Sequence, residues 1–165
     1  MLAGTGQNLP PGEGKGFGIC SHGGRQLGVV GAHVSVDMNS GVVTVIKLTG
    51  AFDIGLIINR NTTDMGVKGA MIWGIGSALI ENVELDGHRC YTNGFADYPI
   101  PRMGDIPEID LAYLNNVESD NPRGCGEMPM PPTVAAIANA VFAATGFRCN
   151  SLPMTPEKIR KGLAA

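Results

Sequence analysis

The sequence GCGEMPMPP at residues 124–132, continued by the apolar run TVAAIANAVFAATG at residues 133–146, is the stretch around which this chain is organised. Glycines let a backbone take unusual angles and approach other groups closely, whereas prolines fix φ and remove amide donors. Glu127 lies between the two and is therefore predicted to lie on a short, stiff loop. Pro132 near its start and Gly146 just past its end delimit a helix, and its nearly continuous apolar character predicts that this helix is buried.

The chemistry of Glu127 depends on two opposed effects at this position. A helix dipole favours a charged carboxylate near the N-terminal end of the helix, whereas burial favours the neutral form. If the site partly excludes water, Glu127 could act as a general base near neutral pH. The alternative is a structural glutamate that accepts hydrogen bonds from loop amides. These residues by themselves leave both roles open.

The chain has four cysteines, which are Cys20, Cys90, Cys125 and Cys149. They are far apart and form no C-x-x-C pair, so neither a zinc ribbon nor a thioredoxin-type site is predicted. The spacings at Cys20–His22 and His88–Cys90 match no common zinc motif, and we predict no metal ligands in this chain. Cys125 is an alternative as a thiol nucleophile, but no histidine follows it in the sequence to activate it.

Composition narrows the class of protein and its partners. A chain of 165 residues with 44% hydrophobic and 16% charged residues is typical of a folded globular protein. The net charge of -3 and pI near 5.5 argue against a nucleic-acid or anionic-membrane surface. The N-terminus lacks the layout of a signal peptide, and the longest apolar run, Gly69 to Ile80, is too short to span a bilayer. We expect the chain in the cytoplasm, or in the periplasm if a partner carries it there.

Valine-rich alternating segments predict two β-hairpins. Gln26 to Asp37 and Val42 to Leu48 flank the turn residues Asn39-Ser40-Gly41, which predicts the first hairpin. Val83 to Leu85 and Arg89 to Thr92, joined at Asp86-Gly87, predict the second. A further strand is predicted over Glu108 to Asn115.

A long helix is predicted over Gly66 to Glu81, with candidate N-caps at Thr62-Thr63-Asp64. Small residues recur in it at three- and four-residue spacing, and they are Gly66, Ala70, Gly74 and Ser77. Such a smooth face indicates close packing against another helix, a sheet or a cofactor. A short terminal helix is predicted to start at Thr155-Pro156-Glu157.

These patterns predict an α+β fold, with a mixed sheet and β-hairpins packed against two buried helices. We expect a single domain over residues 1–165. Within it, residues 1–25 are predicted to be mostly irregular because of their many glycines, with a short strand at Phe17–Cys20. Residues 26–116 hold the hairpins and the long helix, and residues 117–165 hold the Glu127 loop and the remaining helices.

Several stretches resemble one family in order along nearly the whole chain. They are Phe52–Asn59, Gly69–Leu79, Asn93–Arg102, Gly124–Glu127 with Ala136–Gly146, and Ser151–Met154. The chain is similar to the carboxy-terminal portion of the molybdopterin-binding large subunit of the molybdenum hydroxylases, the xanthine dehydrogenase and aldehyde oxidase family. The greatest resemblance is to its isoquinoline 1-oxidoreductase-like and aldehyde dehydrogenase members.

The resemblance implies an oxidoreductase that uses water to hydroxylate an N-heterocycle or an aldehyde, with Glu127 as the active-site base. It implies a molybdenum-molybdopterin cofactor near Gly126, Cys125, Gly66, Gly69 and Ala70. This cofactor would be shared with a first molybdopterin-binding half that this sequence does not contain. The implied partners also include an iron-sulfur subunit and a flavin or cytochrome c electron acceptor, so we expect the isolated chain to be inactive.

Two places depart from the family pattern. Gly66 and Lys68 stand where the family often has a cofactor-contacting glutamine and an acid, and Arg60 stands where a proline is common. These departures favour an alternative, a non-catalytic remnant or assembly module that keeps the fold without bound cofactor. The intact Glu127 loop favours the enzyme.

Overall fold

The computed structural model describes residues 9–23, 26–114 and 121–164. Its main sheet has four strands in the order β1-β2-β3-β6, and a separate ribbon pairs β4 with β5. The elements are β1 (Glu13–His22), β2 (Gln26–Val36), β3 (Val43–Asp53), α1 (Arg60–Leu79), β4 (Leu85–Asp86), β5 (Arg89–Cys90), β6 (Glu108–Tyr113), α2 (Met130–Thr145) and α3 (Pro156–Leu163). The α+β class with a mixed sheet, predicted from the sequence, is confirmed.

The first predicted hairpin is confirmed as β2 and β3, which pair antiparallel. Its turn is held by Asp37, whose carboxylate accepts a hydrogen bond of 2.8 Å from the Asn39 amide. Gly41 has φ of 77° there, a left-handed conformation that costs glycine little. The pairing of β3 with β6 is parallel, and α1 lies in the connection between them.

The prediction that residues 1–25 are mostly irregular was wrong for the residues that the structure describes. β1 is a ten-residue strand that pairs with β2, and it includes the short strand predicted at Phe17–Cys20. Its glycines at 14, 16 and 18 alternate, so all three face the same side of the sheet. A Cβ at any of them would lie closer than 3.0 Å to backbone atoms of α2. These glycines permit close packing of strand against helix, and we call them the glycine seam.

Helix α1 begins earlier than predicted. Its N-cap is Asn59, whose side chain accepts a hydrogen bond of 3.1 Å from the Thr62 amide, so the predicted caps at Thr62–Asp64 lie inside the helix. Its last residue is Leu79, and the Ile80 amide still donates to the Gly76 carbonyl at 2.8 Å. The helix therefore ends within two residues of the predicted Glu81.

The second predicted hairpin is present but shorter than expected, with two residues in each strand. Only β6 of the later strands joins the main sheet, at Glu108–Tyr113, while position 115 of the predicted strand lies outside the described residues. Between the hairpin and β6, the Tyr98 hydroxyl donates to the Glu81 carboxylate at 2.8 Å. This contact ties the connecting segment back to the end of α1.

Helices α1 and α2 bury their apolar faces in one core with the sheet. Core residues from α1 include Met71 and Ile75, those from α2 include Ile137 and Val141, and Phe52 contributes from β3. α2 starts at Met130, two residues before the predicted start, and ends at Gly146 with φ of 74°. The predicted buried helices are both confirmed, and the terminal helix α3 adds the buried Ile159.

Candidate active site

The segment that carries Glu127 leads directly into α2. We call residues 121–129 the Glu127 loop. At its end, Met128 is 3% exposed in the core and Pro129 is fully buried, so this end is fixed by packing. Glu127 itself is exposed, and its carbonyl accepts a hydrogen bond of 3.0 Å from the Met130 amide. The side chain is therefore presented to the outside from the N-terminal end of α2, where the helix dipole favours a carboxylate.

The beginning of the Glu127 loop is anchored to the end of β3 through backbone contacts. Pro122 forms an isolated antiparallel bridge with Gly55. The Arg123 amide donates to the Ile54 carbonyl at 2.9 Å, and the Leu56 amide donates to the Asn121 carbonyl at 3.4 Å. The loop is thus pinned at both ends, and only residues 124–127 span the distance between the two fixed points.

A polar cleft of about 550 Å³ borders the start of the loop. Gln26, at the beginning of β2, donates from its side-chain amide to the carbonyl of Gly124 on one side of this cleft. The same side chain contacts His22 Nδ1 through its oxygen at 3.2 Å. A side-chain hydrogen bond therefore supports the loop from the β2 side.

Cys125 is partly buried and packs against the core beside Glu127. Burial raises the pKa of its thiol above the usual value. Because the thiolate is the nucleophilic form, this environment disfavours the alternative in which Cys125 attacks a substrate. Gly126 lies next to it with open space where a side chain would be.

A charged cluster joins the first turn of α1 to the end of β6, close to Cys125. The Tyr113 hydroxyl donates to Asp64 at 2.8 Å, Arg60 also bonds Asp64 at 2.8 Å, and the Arg60 guanidinium lies 4.5 Å from the centre of the Tyr113 ring. Burial acts to raise the pKa of Asp64, but the hydrogen bonds from Tyr113 and Arg60 outweigh it and leave that pKa below its usual value. Burial and the bond to Asp64 raise the pKa of Tyr113, with Cys125 adding to the effect.

The smooth face predicted on α1 changes from open to buried along the helix. Gly66 and Gly69 have open space at the Cβ position, whereas Ala70 is 4% exposed. Gly74 is buried, and a Cβ there would meet Thr133 and the Met130 carbonyl of α2. Gly66 and Gly69 share the outer side of α1 with Met65 and Trp73, which are 76% and 43% exposed. We call these four residues the open face of α1.

Residues 9–23, 26–114 and 121–164 contain no group of three or more histidine, cysteine, aspartate or glutamate side chains arranged to hold a metal ion. None of the helices in those ranges combines the length and apolarity needed to cross a membrane.

The family model for the molybdopterin cofactor-binding domain matches residues 11–107, more than half of the chain. This chain belongs to that family. The match covers the sheet strands β1 to β3, helix α1 and the second hairpin, and it ends before β6. The resemblance to the molybdenum hydroxylases that the sequence predicted is confirmed.

The chain is similar to parts of several oxidoreductases. It is 38% identical over 142 residues to an aldehyde oxidoreductase of Megalodesulfovibrio gigas. The matched region covers 84% of this chain and 15% of that protein. It is 34% identical over 151 residues to the aldehyde oxidoreductase molybdenum-binding subunit PaoC of Escherichia coli, covering 87% and 21%. Quinoline 2-oxidoreductase from Pseudomonas putida 86 has a similar structure, with a TM-score of 0.76, 26% identity and coverage of 84% and 19%. This member of the family thus spans about a fifth or less of these relatives.

The residues that anchor the loop were not identified from the sequence. The Asp53 carboxylate accepts a hydrogen bond from the Gly55 amide at 3.3 Å. It also lies 3.5 Å from Arg123 Nη1, a contact across 70 positions of sequence. The position of Asp53 at the end of a strand was the only sign in the sequence that it could have a role. Its partner Arg123 could not be identified without the fold.

Proposed function

We propose that this chain forms the Glu127-bearing part of the molybdopterin site of a molybdenum hydroxylase, with Glu127 as the general base. The observation that carries the proposal is the position of Glu127, exposed on a loop pinned at both ends in a chain of the molybdopterin-binding family. A base must be held within hydrogen-bond reach of the proton that it removes, and a pinned loop provides this. The reaction class is the water-dependent hydroxylation of an N-heterocycle or an aldehyde.

The open positions on the chain fit a flat, extended cofactor. Gly126, Gly66 and Gly69 leave space where other residues would project a side chain, so a ligand could approach the backbone at these points. Cys125 would contribute its backbone, and Ala70, being buried, would support the helix beneath. When bound, the molybdenum cofactor supplies the two-electron redox chemistry of the hydroxylation. Glu127 would accept the proton released from water as the new C–O bond forms.

The relatives carry most of their length outside the region matched by this chain. We therefore propose that activity needs a first molybdopterin-binding half and an iron-sulfur subunit that accepts electrons, with a flavin protein or cytochrome c beyond it. The isolated chain is proposed to be inactive.

A Glu127→Gln substitution in the assembled enzyme tests the role of the base. The change keeps the size of the side chain but removes its ability to accept a proton, so turnover should fall by about 10²–10⁴-fold. Molybdenum content should stay at the wild-type level, as measured by metal analysis of the purified complex.

The matched control is Glu157→Gln, because Glu157 is an exposed carboxylate on α3 that pairs with Lys161 on the same helix. That variant should turn over at the wild-type rate. Wild-type turnover in Glu127→Gln would contradict the assignment of the base.

A second candidate function is favoured by Gly66 and Lys68, which depart from the family pattern on α1. In that case the chain is an assembly module that keeps the fold and binds its partner without cofactor. The molybdenum content of the assembled complex distinguishes the two functions. A complex that contains all its subunits but no molybdenum would favour the assembly module.

A further inference from the structure

The Glu127 loop is held on its β3 side by backbone contacts and one side-chain pair. Arg123 makes both kinds of contact, because its amide donates to the Ile54 carbonyl and its guanidinium faces the Asp53 carboxylate. Four positions further along, Glu127 carries the carboxylate. Gly124 and Gly126 lie in between, and glycine restricts the backbone less than any other residue. Glu127 is therefore held between the anchor at Arg123 and the buried Met128 that follows it.

Asp53 links the end of β3 to that anchor. One of its carboxylate oxygens is 3.3 Å from the Gly55 amide and 3.5 Å from Arg123 Nη1. The side chains of Arg123 and Asp53 are 23% and 24% exposed, so solvent screens their attraction less than that of a surface pair. Gly55, with φ of 72°, turns the chain so that this oxygen serves both groups.

The pair has a physical advantage over the backbone contacts alone. Backbone hydrogen bonds fix the path of the chain at Asn121 to Arg123, at 3.4 Å to the Asn121 carbonyl and 2.9 Å from the Arg123 amide. A charged side chain held by a fixed carboxylate adds a further constraint, and each added constraint reduces the range of positions open to residues 124–127. On the other side of the loop, Gln26 donates to the Gly124 carbonyl.

We propose that Asp53 is a positioning residue for Glu127, acting through Arg123. The inference rests on the proposed function, because the position of Glu127 affects turnover only if Glu127 is the base. Asp53 itself does not touch substrate or cofactor in this role. It keeps the loop in the arrangement that presents the Glu127 carboxylate.

An Asp53→Asn variant tests the proposal, because asparagine still accepts from Gly55 but no longer attracts Arg123. In the full chain, we expect the amides of residues 56 and 123, which donate the anchoring hydrogen bonds to Asn121 and Ile54, to exchange hydrogen at least about tenfold faster, while the melting temperature stays unchanged. In the assembled enzyme, kcat should fall about 10- to 100-fold with KM and molybdenum content unchanged. A purely structural role would lower stability or cofactor content instead of producing this split.

The control is Asp110→Asn, which removes another strand carboxylate that bonds a cation, Lys47 at 2.6 Å, on a different strand of the sheet. Its loop exchange and kcat should match the wild type. Arg123→Gln serves as a second variant, because it removes the same pair from the other side and should speed exchange at the same two amides.

Wild-type exchange at the amides of residues 56 and 123 in both single variants would overturn the proposal. The exchange measurement does not depend on activity. If Glu127→Gln keeps its turnover while Asp53→Asn loosens the loop, the function fails and the anchoring stands. If Glu127→Gln is inactive and the loop is unaffected by Asp53→Asn, the reverse holds.

Discussion

Tyr113, Asp64 and Arg60 link the last strand of the sheet to the first turn of α1 near Cys125. Two bonds of 2.8 Å converge on the Asp64 carboxylate, one from the Tyr113 hydroxyl and one from Arg60. Because the open face of α1 begins one residue after Asp64, this cluster holds the start of that face against β6. Its contribution can be measured without any cofactor.

A Tyr113→Phe substitution should lower the free energy of unfolding of the chain by about 1.5–3 kcal/mol at neutral pH, since one hydrogen bond to a charged group is lost. The folded-state pKa of Asp64 lies below its usual 3.8, so its bonds stabilise the fold above that pH. This contribution is lost as pH falls through the folded-state pKa. The difference between wild type and variant, measured by urea unfolding, should therefore shrink below pH 3.8. A difference that stays constant down to the acid limit would contradict the assigned bond.

The sequence allowed some residues of the site to be predicted and not others. Glu127 stands out because glycines and prolines surround it, a local pattern that needs no knowledge of the fold. Asp53 and Arg123 are 70 positions apart, and their contact exists only because β3 and the Glu127 loop meet at Gly55 and Pro122. The roles proposed for Gly66, Gly69, Ala70, Cys125 and Gly126 stay predictions.

At the scale of elements, the glycine seam of β1 controls the distance between the sheet and α2. The three glycines place the backbone of the strand directly against backbone atoms of Ala136 and Ala140. An alanine in the seam has no room unless the helix moves away. Glu127 lies on the loop three residues before this helix, so a movement of the helix would also displace the candidate base.

Gly16→Ala should destabilise the chain by about 1–3 kcal/mol or more, the usual cost of an extra methyl group in a tightly packed interior. The matched control is Gly69→Ala on α1, where the Cβ position is open. That change should stabilise the isolated chain by about 0.4–1 kcal/mol, because alanine is the better helix former. Thermal unfolding of the two variants measures both effects. Equal stability of Gly16→Ala and wild type would show that the strand and helix are not in close contact.

The seam also explains why only Phe17–Cys20 of β1 was predicted from the sequence. A high density of glycine normally indicates loops, because glycine weakens strands and helices. Here the glycines at 14, 16 and 18 follow the two-residue period of a strand and serve one face. The hairpin of β2 and β3 and the helices α1 and α2 were predictable, because valine alternation, caps and apolar runs act locally. Both helices start a few residues before their predicted starts. For α1 the reason is that the capping Asn59 was not distinguished from its neighbours.

At the scale of the whole molecule, the open face of α1 and the exposed Glu127 lie on surfaces that no other described part of the chain covers. The relatives devote four fifths or more of their length to regions that this chain does not match. A cofactor bound only by this chain would be held from one side. Tight binding usually needs a ligand to be enclosed on most of its surface.

The purified chain alone should therefore contain far less than one molybdenum atom per molecule by metal analysis. Coexpression with a first molybdopterin-binding half and an iron-sulfur subunit should raise the content to one per complex. Stoichiometric molybdenum in the single chain would contradict the shared site. The Glu127→Gln complex provides the control, because it should load the metal but fail to turn over.

The glycines of this chain fall into two classes, and the difference would become visible in a library of variants. Codons 14, 16 and 18 should tolerate only synonymous changes in any selection for folded protein. Codons 66, 69 and 126 have open surroundings and should accept many replacements in that selection. The same library can then be selected for enzyme activity in the assembled complex. Positions among these three that accept replacements for folding but not for activity would be those that contact the cofactor. Comparing the replacements accepted in the two selections would thus identify the cofactor-contacting positions without a structure that contains the cofactor.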